Sequence, residues 1–229
     1  ENNGVVMQYA FSSCSSLENV LFGEGASEIQ FSAFDSCRNL KSLQIPDSVI
    51  SIGSEAFRNC NSNLELRLGK NVSNIIGLSR GDFSNVSGIF VHSDNPYFSN
   101  DETGAFFNKD KTILLHFPKN KGITDYVIPD TVEVIGAYSF ELCSLESVTI
   151  PDGVTSIGSG AFEDCSSLAS VTIGKSVTNI NHTIFTGCEA LASINVSTEN
   201  GYYSSENGIL FNKSKTELVL YPKSNQTTT

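Results

Sequence analysis

The sequence predicts a β-rich solenoid of short stacked rungs, and three observations predict it. A phenylalanine returns at near-constant spacing: Phe11, Phe34, Phe57, Phe83, Phe140, Phe162 and Phe185, at intervals of 23, 23, 26, 57, 22 and 23 residues. Six of the seven have a cysteine three residues later, namely Cys14, Cys37, Cys60, Cys143, Cys165 and Cys188, which are all the cysteines of the chain. Two longer segments, about 89–121 and 194–224, interrupt this rhythm and match each other. A unit of about 23 residues cannot bury its own apolar face and must stack on copies of itself. The reading is one solenoid domain over 1–229, with rungs at about 9–88 and 126–193 and hairpin-like segments between and after them.

Each part of a rung has a reason. In the stretch Leu145–Cys165, Val148 and Ile150 alternate with Ser147 and Thr149, the period of a strand with one buried face. Pro151-Asp152-Gly153 is turn chemistry, because Pro fixes φ and Gly tolerates positive φ. Val154 and Ile157 point inward on a second extended segment that Gly158 ends. Phe162 and Cys165 share a face if the segment makes one helical turn, so a helical turn is expected there. Stacking would place the phenylalanines in an aromatic spine and the Leu, Val and Ile columns in the core. Val86 replaces the cysteine in the fourth rung, which also carries an insertion near Gly77–Gly81.

The interrupting segments run from Asn95-Pro-Tyr97-Phe98 and from Asn200-Gly-Tyr202-Tyr203 to Pro118-Lys119 and Pro222-Lys223. From Gly104 to Gly208, Asn108 to Asn212 and Pro118 to Pro222 the offset is 104 residues. The apolar runs on either side of Asn108-Lys-Asp-Lys111 and Asn212-Lys-Ser-Lys215 read as paired strands joined by a polar turn. The chain stops where the next rung should open, which reads as an excerpt of a longer array whose missing caps would favour artefactual end-to-end association.

The phrases Ile-Pro-Asp-x-Val-x-x-Ile-Gly-x-x-Ala-Phe-x-x-Cys and Gly-x-Leu-Phe-Asn-Lys-x-Lys-Thr-x-Leu-x-x-Tyr-Pro resemble the BspA-type leucine-rich repeats, from about Tyr9 to Lys223. The resemblance implies a leucine-rich-repeat solenoid in a right-handed superhelix. It also implies a secreted or cell-surface protein, with adhesion or binding of host matrix proteins as the expected work. The family brings no catalytic set to carry over.

The composition excludes other classes. A net charge of −11 and a pI of about 4.6 repel phosphate backbones and anionic membranes, so no nucleic-acid partner is expected. No run of 18 apolar residues exists to insert in a membrane. One cysteine per rung gives a line and not a tetrahedron, so free, buried thiols are expected, and neither disulfides nor zinc. His92, His116 and His182 sit at unrelated points; His92-Ser-Asp94 has no nucleophile elbow beside it. Six Asn-x-Ser/Thr sequons, at Asn71, Asn85, Asn181, Asn195, Asn212 and Asn225, are ascribed to the Asn/Ser/Thr-rich composition. The expectation is therefore no enzyme, no metal and no cofactor.

Two surfaces stand out as candidates for a protein partner. One is the outward column of the strand ladder, Gln44, Arg67, Thr149, Thr172 and Asn195, flanked by Ser42, Ser147, Ser170 and Ser193. The other is the aromatic pairs Tyr97/Phe98 and Tyr202/Tyr203. The leading expectation is a monomeric, non-catalytic protein-binding module, for adhesion or host–microbe interaction. The competing readings are a passive spacer that displays another domain, and a carbohydrate-binding surface resting on the four aromatic residues.

Overall fold

A computed structural model describes residues 4–23, 25–77, 83, 86–119 and 122–226. Apart from Gly77, the insertion expected near Gly77–Gly81 lies outside the described residues, as do Asn85 and Thr227 of two sequons. The chain divides into two compact units, Glu1–Asp110 with Leu115–Lys121, and Lys111–Leu114 with Gly122–Thr229.

The first unit stacks its rungs in two parallel ladders. One runs Gly4–Val6, Ala26–Ile29, Ser51–Ile52, Asn74–Ile75, and the other Ser42–Gln44, Leu64–Leu68, Val86–Val91. The antiparallel pair Phe98–Asn100 and Phe106–Asn108 follows. In the second unit, Asp125–Val127, Ser147–Ile150, Ser170–Ile173 and Ser193–Val196 form one parallel ladder. Ile113–His116, Val134–Ile135 and Ser156–Ile157 pair in the other. An antiparallel meander of Tyr203–Glu206, Ile209–Asn212 and Leu218–Leu220 closes the unit.

Register follows from the period of two. Val148 lies opposite Val171 and Val171 opposite Ile194, all inward and buried. A one-residue slip would turn this apolar set to solvent, so the hydrophobic pattern fixes the pairing. Leu145, Ile150, Val154, Phe162 and Cys165 complete the buried side of that rung. Each such large apolar side chain stabilises by about 1.5–3 kcal/mol. The aromatic spine is present within each unit. Phe11, Phe34 and Phe57 stack at 5.0 and 5.8 Å between ring centres, and Phe140, Phe162 and Phe185 at 4.8 and 5.6 Å.

The expected helical turn is absent: no helix occurs among the described residues. The segment before each cysteine is a chain of tight turns whose amides alternate in direction. Ala33, Asp35 and Cys37 N–H groups donate three residues back, to Gln30, Ser32 and Phe34. Ser32, Ser36 and Phe34 between them donate instead to the next rung, at Ser54, Arg58 and Ala56, over 2.8–3.1 Å. An α-helix keeps its amides within itself and leaves none for a neighbouring rung. Ser32 and Ser36 also hold positive φ, 50° and 62°, which a right-handed helix does not contain.

Candidate functional site

In the first unit, the outward side of the ladder Ser42–Gln44, Leu64–Leu68, Val86–Val91 places Gln44 opposite Arg67 and Arg67 opposite Phe90. The Arg67 guanidinium lies 5.0 Å over the Phe90 ring and 3.2 Å from the Glu65 carboxylate. The exposed ion pair contributes at most about 1 kcal/mol and the ring contact about as much. Their main effect is order: the cation is held over the neighbouring ring, with Gln44 Nε2 donating to the Arg67 carbonyl beside it at 3.4 Å.

In the second unit Thr149, Thr172 and Asn195 stand in register and exposed. Ser147, Ser170 and Ser193 form a half-buried row beside them, and Ser147 Oγ donates to Asp125 at 3.2 Å. The five column residues thus fall into two ladders, one in each unit, because the first antiparallel segment interrupts the rungs between them. Sequence reasoning overlooked Val127, 84 % exposed and opposite Thr149. The alternation Tyr126-Val127-Ile128, parallel to Val148-Thr149-Ile150, would have found it.

Each aromatic pair splits into one exposed ring and one half-buried ring. Tyr97 and Tyr202 are 50 % and 58 % exposed. Phe98 packs on Phe106 with ring centres 5.0 Å apart, and the Tyr203 hydroxyl accepts the Ile180 N–H at 3.0 Å. The residues that set these pairs are Asn95 and Asn200, which sequence reasoning gave no role. Both are fully buried. Asn95 Nδ2 donates to the Gly69 and Val72 carbonyls at 3.1 and 2.9 Å, and its Oδ1 accepts from Tyr97 and Phe98 N–H at 2.8 and 2.9 Å. Asn200 repeats the arrangement with Gly174, Val177, Tyr202 and Tyr203, over 2.8–3.1 Å. Each amide makes four hydrogen bonds, the full capacity of the group, so burial leaves no orphan.

Five of the six cysteines and His116 are built into the core. The six cysteines are free; five are buried, and Cys14 in the first rung is exposed, contrary to expectation, because no described rung stacks over it. The thiols of Cys37, Cys60, Cys165 and Cys188 donate to the phenylalanine carbonyl of the preceding rung at 2.9–3.1 Å. Burial pushes the Cys37 thiol up to about 11 and Cys60 up to about 12. Cys165 is also raised, through its thiol contact with Cys188 and its burial. Thiols held neutral at pH 7 are poor nucleophiles. His116 is buried, with Nε2 3.2 Å from the Val86 carbonyl, and burial lowers its pKa to about 4. His92 and Asp94 are exposed, and His92 Nδ1 accepts the Asp94 backbone N–H at 3.2 Å. Among the described residues no group of three or more His, Cys, Asp or Glu is placed to hold a metal ion. No helix of the described residues is long and apolar enough to cross a membrane.

The repeats have counterparts in known proteins. The BspA type leucine rich repeat region matches in six copies, over residues 1–110 and 111–228. A leucine-rich repeat protein from Eubacterium ventriosum is 27 % identical, with a TM-score of 0.57; the match covers 76 % of this chain and 58 % of that one. A leucine rich cell surface protein from Faecalibacterium prausnitzii is 23 % identical, with a TM-score of 0.56, over 82 % of this chain and 62 % of that one. This chain thus spans about three fifths of the length of these relatives. No curated protein matches it. With both repeat segments matched and the rung geometry in hand, the chain belongs to the family of BspA-type leucine-rich repeat proteins.

Proposed function

We propose that this chain is a non-catalytic protein-binding module of a secreted or cell-surface bacterial protein, serving adhesion or host–microbe interaction. One observation carries the reading. The side chains that leave the ladders outward are ordered in register on the paired strands, while five of the six cysteines and His116 are buried in packing. Gln44, Arg67 and Phe90 present a cation, an amide and a ring in the first unit, and Thr149, Thr172 and Asn195 present hydroxyls and an amide in the second. Repeat solenoids use such regular surfaces for extended protein partners. Repeat families of this kind are generally non-catalytic, and one solved relative is itself a cell surface protein.

The test is binding of the purified chain to immobilised fibronectin, fibrinogen and intact bacterial cells at several salt concentrations. The reading expects saturable binding to at least one of them. It expects the double variant Gln44→Ala/Arg67→Ala to lose that binding at unchanged stability. Binding to none of the three would favour the spacer reading. The carbohydrate reading rests on the exposed rings of Tyr97 and Tyr202, and binding that Tyr97→Ala/Tyr202→Ala removes and the first pair does not would favour it.

A further inference from the structure

The outward faces of the two units differ in how their charges are balanced. In the first unit Arg67 and Lys70 each have a carboxylate of their own, Glu65 at 3.2 Å and Asp47 at 3.4 Å. In the second unit Lys175 is shared, 3.7 Å from Asp152 and 3.7 Å from Glu199. Asp125 accepts from the Thr124 and Ser147 hydroxyls at 3.0 and 3.2 Å. Among the described residues neither Asp125 nor Asp130 is paired with a cation. From Gly122 to Glu199, Lys175 is the only lysine or arginine, against ten Asp and Glu residues. Carboxylates in such excess draw cationic groups to the surface.

The same face carries a hollow. Asp130, Thr149, Asp152 and Thr172 line a groove of about 450 Å³ where the strands Ser147–Ile150 and Ser170–Ile173 pass into their turns. Thr149 lies opposite Thr172, so two exposed hydroxyls follow each other from rung to rung. Val127, opposite Thr149, adds an exposed apolar surface beside them. Asp125 and Asp130 bracket Val127 on one stretch of chain, no more than about 18 Å apart.

We propose that this face of the second unit docks an extended segment of a partner protein bearing lysine or arginine side chains, one of them seated in the groove between Asp130 and Asp152. The inference rests on the protein-binding reading and names the chemistry of the partner. The Thr149 and Thr172 hydroxyls accept hydrogen bonds from an ammonium or guanidinium group, and the aliphatic stem of a basic side chain covers Val127. An acidic segment would meet only Lys175, which two carboxylates already share. Charge complementarity therefore selects the basic occupant. Alternate residues of an extended chain point to one side at intervals of about 6.8 Å, so a run of alternating basic residues reaches from Asp130 to Asp125.

Fluorescence anisotropy tests this with a labelled peptide of alternating lysine and serine, titrated with the whole chain from about 1 μM to about 1 mM, the range of weak protein contacts. The same peptide with glutamate for lysine is the control probe. Saturable binding of the lysine peptide alone is expected, weaker by at least about fivefold at about 0.3 M salt than at about 0.05 M. Asp130→Asn/Asp152→Asn is expected to weaken it at least about fivefold. Asparagine at 152 can still accept the Lys175 amide that Asp152 accepts at 3.0 Å, so the turn is kept. Glu18→Gln/Glu102→Gln removes the same charge from exposed positions of the first unit and is expected to leave binding within about twofold. Thr149→Lys, which puts a cation into the groove, is expected to weaken binding at least about tenfold. Circular dichroism checks that each variant folds. Three results would overturn the proposal. The first is a wild-type chain that does not bind the lysine peptide, or binds both peptides alike. The second is an equal effect of the two acidic pairs, which would reduce the binding to net charge. The third is a chain that binds fibronectin, fibrinogen or cells but not the lysine peptide; the protein-binding reading would then stand and this inference fall.

Discussion

The two antiparallel segments are copies of one device put to different surroundings. Both begin with a buried asparagine that ties two carbonyls of the preceding rungs to two amides of its own strand. Both then turn back, but not in the same way. Tyr203–Glu206 and Ile209–Asn212 are joined by Asn207-Gly208 alone, with φ of 51° and 79°. That is the two-residue turn whose twist suits a hairpin. Phe98–Asn100 and Phe106–Asn108 are joined by five residues, and the Asp101 carboxylate receives the Thr103 and Ala105 amides at 2.9 and 3.0 Å. The third strand ends differently too: His116 sits where Leu220 sits in the second copy. What the copies share is the fully bonded clip at the start. What they vary is loop length and the residue that meets the next layer. The clip is therefore the structural requirement, and the rest is adaptable.

The sharpest way to break the comparison is at the clip. Asn200→Ala removes four hydrogen bonds and leaves two carbonyls and two amides without that partner in a dry site. The expected loss is about 3 kcal/mol or more, and Asn95→Ala should match it. Asn200→Asp should cost as much, because a carboxylate oxygen would then face the Gly174 and Val177 carbonyls. Urea unfolding of the three variants measures this. A loss below about 1 kcal/mol would show that water replaces the amide at little cost.

The next effect is specific to the first copy and appears in acid. Burial, with a smaller contribution from the nearby Lys119, holds the His116 pKa at about 4 in the folded chain, against 6.5 for an ordinary histidine. The unfolded chain therefore takes up the proton first as pH falls. The stability tied to neutral His116 is complete above about pH 6.5 and is lost progressively toward pH 4. At about 1.4 kcal/mol for each unit of displacement, that loss is about 3–4 kcal/mol. His116→Leu, the residue of the second copy, is expected to remove this slope and to leave stability at pH 7 within about 1 kcal/mol. Unfolding midpoints at pH 7, 6, 5 and 4 for both chains decide it. Parallel pH profiles would refute the assignment.

The turns come third. Gly208→Ala places a Cβ 2.9 Å from Ser193 Cβ at a φ of +79°. It should cost about 1–2 kcal/mol. Asp101→Ala should cost about 1–2 kcal/mol in the first copy by freeing the Thr103 and Ala105 amides. Each loss is expected to speed hydrogen exchange in its own hairpin and not in the other.

Much of this was legible in the sequence, and the exceptions have a common cause. The strands, the core columns and the outward positions Gln44, Arg67, Thr149, Thr172 and Asn195 follow from a period of two and a repeat near 23 residues. The segment from phenylalanine to cysteine misled because residues three apart also share a face in a helix. The correcting signal was the residue before the cysteine, which holds φ of 54–62° at Asn59, Ser36, Asp164, Leu142 and Ser13. Ser, Asn and Asp in that slot, and Gly187 in the last rung, favour a left-handed turn over a helix. The asparagine clips escaped because the carbonyls they bind lie 23 and 26 residues away. Only the recurrence of Asn-x-Tyr at both segments hinted at them. Local pattern reports on strands and turns; it is silent on hydrogen bonds that join one rung to another.

The smallest expected effect tests such a bond directly. Tyr203 and Phe98 occupy the same place in the two copies and differ by one hydroxyl. In the second copy that oxygen accepts the Ile180 amide at 3.0 Å, at the point where the strand ladder has thinned to the single bridge Ser156–Asn179. In the first copy Asn74–Ile75 is a strand paired with Ser51–Ile52, and the Ile76 amide donates to the Ile52 carbonyl at 2.8 Å. The tyrosine hydroxyl thus adds a hydrogen bond to the last rung on an amide next to its thinned ladder, not in place of a ladder bond. Tyr203→Phe should cost about 1 kcal/mol, the net worth of one hydrogen bond, which lowers Tm by about 2–4 °C in a chain of this size. Phe98→Tyr should bring no matching gain, because the ladder beside it is already formed. If Phe98→Tyr stabilised as much as Tyr203→Phe destabilised, the hydroxyl would be worth the same in both places, and the account of what the second copy adapts to would fail.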